Sequence, residues 1–262
     1  MNHKIDYILH LADNALISGQ RNSEWCGHGP VLEQDIAITN ISLDLIGQAR
    51  SLYQHAAGLI NSSNSSPTGG GREGATEDSL AYLRKEREFK NCLLVEQPNG
   101  DWGQTILRQF FFSTYQLLLY RQLLQTSDST LAAIAEKSLK EVTYHVRWSS
   151  EWVIRLGDGT EESHQRMIKA LEALWMFTGE LFVSADYELQ AAADGTGIDV
   201  SKIKDEWKKQ INEILSEATL QENINHDQWM QQGGKQGIHT EHLGYILAEL
   251  QYMQRAYPGM EW

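Results

Sequence analysis

LEQDIAITNISLDLIGQARSLYQHAAGL, residues 32–59, decides the fold. Ile36, Ile38, Ile41, Leu43, Leu45, Ile46, Ala49, Leu52 and Tyr53 lie almost all round a 3.6-residue period. A helix with that pattern is expected to be buried on several sides. Pro30 sets its start. Upstream, residues 4–22 place Ile5, Leu9, Ala12 and Leu16 on one face of an amphipathic helix.

Downstream, residues 61–79, NSSNSSPTGGGREGATEDS, cannot bury enough to offset ordering entropy, and read as an exposed, mobile loop. Its Gly69–Gly71 run is not a phosphate loop, because no Gly-Lys-Ser/Thr follows. A short helix over about 77–90 and a turn at 95–101 come next. Long helices are predicted over about 103–126, 130–156 and 161–192, the second stopping at Gly157-Asp158-Gly159. Smaller helices fall near 200–219 and 239–256. No stretch sustains a two-residue alternation. The expectation is one all-α domain over residues 1–262: a four-helix bundle in two pairs, joined by a longer crossing segment and flanked by extra helices.

Composition narrows the function. Thirty-five acidic residues against 22 basic ones give a formal net charge of −13. Such a surface repels phosphate backbones and anionic membranes, so neither nucleic acid nor membrane is expected as a partner. No apolar run approaches the ~20 residues that cross a bilayer. The N-terminus lacks the basic-then-apolar shape of a secretory signal, and a cytoplasmic location is expected. Cys26 and Cys92 lack metal or redox spacing and read as small packed apolar groups.

Helical bundles build metal sites from inward carboxylates and histidines. The ferritin-like diiron pattern takes one carboxylate from each of two helices and a Glu-x-x-His pair from each of the other two. Oxygen-activating iron requires hard oxygen ligands and a few imidazoles. The first helix offers Asp13 beside Asn14 at mid-span. The second has a polar stripe, Asn40, Asp44 and Gln48, with Gly47 three residues after Asp44, where the pattern needs histidine. The helix within 102–127 contains no Asp, Glu or His. The next places Ile134, Ser138, Glu141, His145, Trp148 and Trp152 on its inner face, but Glu141 and His145 are four apart and position 144 is tyrosine. Glu141 and His145 therefore read as members of a hydrogen-bonded network with Asp44, Asn40, Arg or Tyr groups. Ligation by the partial set Asp44, Glu141 and His145 is the alternative. His239, Glu241 and His242 are in the wrong order for His-Glu-x-x-His, and read as capping or an exposed polar turn. His28 reads as a loop contact to backbone.

EWCGHGPVLEQDIAITNISLDLIGQAR (24–50), LLVEQPNGD (93–101), KEVTYHVRWS (140–149) and GGKQGIHTEHLGYILAELQYMQRAYPGMEW (233–262) resemble the C-subunit family of the bacterial phenylacetyl-CoA epoxidases, ring 1,2-monooxygenases of phenylacetate catabolism. The likeness runs from about residue 6 to residue 262; the 61–79 loop stands outside it. The resemblance implies a ferritin-like fold and a structural role. It also implies a catalytic A subunit that carries the diiron site and binds phenylacetyl-CoA, an NADPH-fed reductase subunit and a small B subunit. By helix order, the former ligand positions map onto Asn14 or its neighbours, Asp44 with Gly47, Ser113 or its neighbours, and Glu141 with Tyr144. Most of those residues are wrong for iron, so the metal is expected in the partner and no cofactor in this chain.

Two further readings stand beside the scaffold. One is a divergent diiron or manganese oxygenase using Asp44, Glu141 and His145. The other is a homo-oligomeric binding protein, and a homodimer is expected of the isolated chain.

Overall fold

The computed structural model describes residues 2–63, 74–224 and 228–260. Two antiparallel helix pairs make the bundle: α1 (His3–Ser23) with α2 (Leu32–Ser63), and α5 (Trp102–Leu123) with α6 (Ser129–Gly157). Between them the chain crosses through two short helices, α3 (Glu77–Tyr82) and α4 (Leu93–Glu96). Flanking helices follow: α7 (Glu161–Leu174), α8 (Asp186–Ala193), α9 (Lys204–Glu217), α10 (Glu241–Leu250) and α11 (Tyr252–Ala256). Among the described residues there is no strand. The expected all-α, ferritin-like architecture is the one observed.

Local chemistry explains the ends. The Asp101 carboxylate accepts from the Gln104 N–H and starts α5. The Asp128 carboxylate does the same for α6 through the Leu131 N–H at 2.9 Å. Thr160 caps α7. Gly19 lets α1 and α2 approach closely: a Cβ there would lie 3.1 Å from Ile46 Cγ1, and the Ser42 hydroxyl donates to the Gly19 carbonyl at 2.6 Å.

Four expectations need correction. First, α2 is buried against α1 and α6 only. Its third side is open, with Leu43 61% and Ile36 52% exposed. Second, no continuous helix spans 161–192. The chain leaves the helix at Leu174 and makes two 3-10 turns, Trp175–Phe177 and Gly179–Phe182. The cause is Glu180, a fully buried carboxylate held by the N–H groups of Leu93 (2.7 Å) and Gly233 (2.7 Å). Met230 also occupies the space a Cβ on Gly179 would need. Third, the helix expected over 77–90 ends at Tyr82, because Arg84 turns into the core. Fourth, Cys26 is exposed, whereas Cys92 is packed as expected.

Of the expected 61–79 loop, residues 64–73 lie outside the described residues. Its described flanks are tied together: the Asn61 side-chain amide donates to the Ala75 carbonyl and accepts from the Ala75 N–H.

Buried carboxylates strap the C-terminal part of the chain to the crossing segment. Glu96 accepts from Asn91 Nδ2, His239 Nδ1 (2.8 Å), and the Thr240 N–H and hydroxyl. Lys235 Nζ, also buried, pairs with Glu188 at 3.0 Å. No described helix is long and apolar enough to cross a membrane.

Candidate functional site

The residues singled out by the bundle pattern do converge, and they bind one another. Antiparallel α2 and α6 set Asp44 opposite His145 and Gln48 opposite Glu141. His145 Nε2 lies 3.0 Å from Asp44 Oδ2, with the imidazole buried and Asp44 about a third exposed. Gln48 Nε2 donates to Glu141 Oε2 at 2.9 Å. From α5, Tyr120 donates its phenolic hydrogen to Gln48 Oε1 at 3.1 Å, and Gln116 Nε2 reaches the same oxygen at 3.5 Å. One turn further along, the Ser113 and Ser149 hydroxyls meet at 3.4 Å, and Ser149 donates to the His145 carbonyl. Burial raises the Tyr120 phenol well above its ordinary range, so it remains a donor.

Asn40, expected as a partner, is exposed and takes no part. Nor does an arginine. Gln48, Gln116 and Tyr120 supply that role. Their signal in the sequence is spacing: Gln48 lies one turn after Asp44, and Gln116 and Tyr120 are four apart on an otherwise apolar helix.

The first helix contributes nothing to this centre. Both Asp13 and Asn14 are buried, against the expectation that one would face elsewhere. Asp13 is held by Arg84, by the Tyr53 hydroxyl (2.5 Å) and by the Lys90 N–H (2.8 Å). Asn14 accepts from the Cys92 N–H at 2.8 Å. The crossing segment thus occupies the side chains that would have been ligands on α1.

Diiron chemistry does not fit this donor set. The α5 wall offers serine, glutamine and tyrosine. Glu141 is engaged by an amide, and Asp44 by the His145 imidazole. Among the described residues, no three His, Cys, Asp or Glu side chains are grouped to hold a metal ion. A groove of about 220 Å³ opens beside Glu141, lined by Gly47, Gln48, Lys137 and Ser138 among others.

The whole chain, residues 1–262, matches the family described as phenylacetic acid catabolic protein. The chain belongs to that family. Within it, the chain is 44% identical to the C component of the 1,2-phenylacetyl-CoA epoxidase of Escherichia coli (strain K12), over the full length of both. The resemblance read from the four sequence strings is therefore shown along the entire chain.

The remaining histidines of this phenylacetic acid catabolic protein are structural. His28 Nδ1 lies 3.1 Å from the Cys26 carbonyl, the backbone contact expected. The HTEH reading is corrected: the His239 ring is buried, with Nδ1 on Glu96 and Nε2 3.0 Å from the Phe89 carbonyl. Both partners are acceptors, so the ring holds both protons. Burial opposes that charge, but the Glu96 hydrogen bond and charge, with the Phe89 carbonyl, outweigh it and raise the His239 pKa. His10, against Glu188 and the Lys90 carbonyl, is lowered, chiefly by burial. No sequence signal pointed to His239 as buried, because its partner lies far away in the chain.

Proposed function

We propose that this chain is a noncatalytic subunit of a phenylacetyl-CoA epoxidase complex, pairing with and supporting a diiron catalytic A subunit in phenylacetate catabolism. The observation that carries this reading is the closed network Asp44–His145 and Glu141–Gln48–Tyr120, in which the side chains at the ligand-bearing level of the bundle turn their hydrogen-bonding capacity on each other. The Escherichia coli relative is named as one component of an epoxidase, which supports a place in a complex with partner subunits, among them the B and reductase subunits. In such a pair, stiff packed helices hold the partner's ligand-bearing helices in place. Iron belongs to the partner in this reading, and the protein works in solution in the cytoplasm.

The test is co-expression with an A subunit, separation of the chains and an iron assay on each, with phenylacetyl-CoA turnover by the assembled complex. Iron in the A chain alone is the expected result; stoichiometric iron in this chain overturns the reading. Glu141→Ala supplies a second readout. It should lower the melting temperature, because Gln48 Nε2 loses its acceptor at a cost of about 1 kcal/mol. Turnover per intact complex should remain. Abolished turnover at unchanged melting temperature favours a catalytic Glu141 instead.

A further inference from the structure

The open side of α2 is a regular seam. Glu33, Ile36, Asn40, Leu43, Gly47 and Arg50 recur at alternating steps of three and four residues, the spacing of a coiled-coil face. All but Gly47 are exposed. A Cβ built on Gly47 would meet nothing within 4 Å, so Gly47 is a notch in this face.

The order of residues along the seam complements itself. When a second α2 is laid antiparallel with the twofold axis between Ile41 and Ser42, each layer brings together positions whose numbers sum to 83. Ile36 then faces the Gly47 notch of the other copy, Asn40 faces Leu43, and Glu33 faces Arg50. Each pairing occurs twice, as an isologous contact requires. The large side chain meets the gap, and the acid meets the base. Arg50 has room to take part: its side chain is 70% exposed, and its ion pair with Glu77 is loose, at 3.6 Å.

We propose that two copies of this chain pair through α2, antiparallel, in this register. The seam from residue 33 to 50 spans roughly 26 Å at ~1.5 Å per residue. One helix pair covers less than the ~800 Å² per partner of a standard interface, so the dimer forms in proportion to concentration.

Sedimentation of the purified full-length chain tests this. The expected result is a concentration-dependent shift from 29.7 kDa to twice that mass. Gly47→Leu fills the notch without touching the chain's own packing, and should leave a folded monomer. Gly58→Leu, at a glycine equally open but beyond the seam, should dimerise normally. Arg50→Glu should weaken pairing about tenfold, and adding Glu33→Arg to it should restore pairing. A chain that stays monomeric throughout overturns the proposal. So does a dimer indifferent to Gly47→Leu and to Leu43→Glu. If a chain that never self-associates loses its hold on an A subunit through Gly47→Leu, the face belongs to that partner, and self-pairing is equally overturned.

Discussion

Asp44 is the residue on which His145 depends. His145 is fully buried, and its Nδ1 has no hydrogen-bond partner among the described residues, so Nε2 on Asp44 is its polar anchor. Asp44→Ala removes that anchor and should cost about 1–3 kcal/mol, the penalty for leaving a buried polar group unsatisfied; urea unfolding measures it. Asp44→Asn keeps an acceptor oxygen in place and should recover most of the loss. At His239 the expectation concerns pH. Its folded pKa is raised, so its stabilisation is complete below the ordinary histidine range and fades as pH climbs through the raised value. Melting temperature followed from about pH 6 upward should fall more steeply for the wild type than for His239→Gln. Parallel curves would mean that the ring is neutral in the native state.

At the scale of elements, Asp128 joins three helices at one point. Its carboxylate caps α6, and Oδ2 lies 2.8 Å from both Lys4 Nζ on α1 and His55 Nε2 on α2. Burial works against the charged form, but the Lys4 contact, the Leu131 N–H and His55 win and depress the pKa to about 2. The stabilisation is therefore intact above the ordinary aspartate range and is lost as pH falls toward about 2. Asp128→Ala should cost at least the ~1 kcal/mol of a lost cap, and should flatten the acid limb of the stability profile. The long helices were legible in the sequence because each is a uniform run with one period. So were the empty α5 wall and the pairing of Glu141 and His145 with polar neighbours. What escaped was non-local. Residues 175–185 have helical periodicity, yet Glu180 breaks the helix to collect N–H groups from Leu93 and Gly233, 87 and 53 positions away. The exposed stripe on α2 escaped for a related reason: apolar spacing marks a surface that wants covering, and says nothing about which chain covers it.

Taken whole, the molecule is a bundle whose crossing segment is used up internally. Residues 84–96 meet α1 through Asp13 and Asn14, and meet the C-terminal part of the chain through Glu96 and the Leu93 N–H. These contacts also order events during synthesis. Glu96 and Glu180 draw donors from residues 233–240, which leave the ribosome after all four bundle helices. Until then two acids bound for the interior have water as their best partner, and the bundle cannot close over them. A nascent chain halted before residue 233 should stay open and vulnerable to proteolysis, so the final stretch acts as a latch that admits only finished polypeptides to the native state.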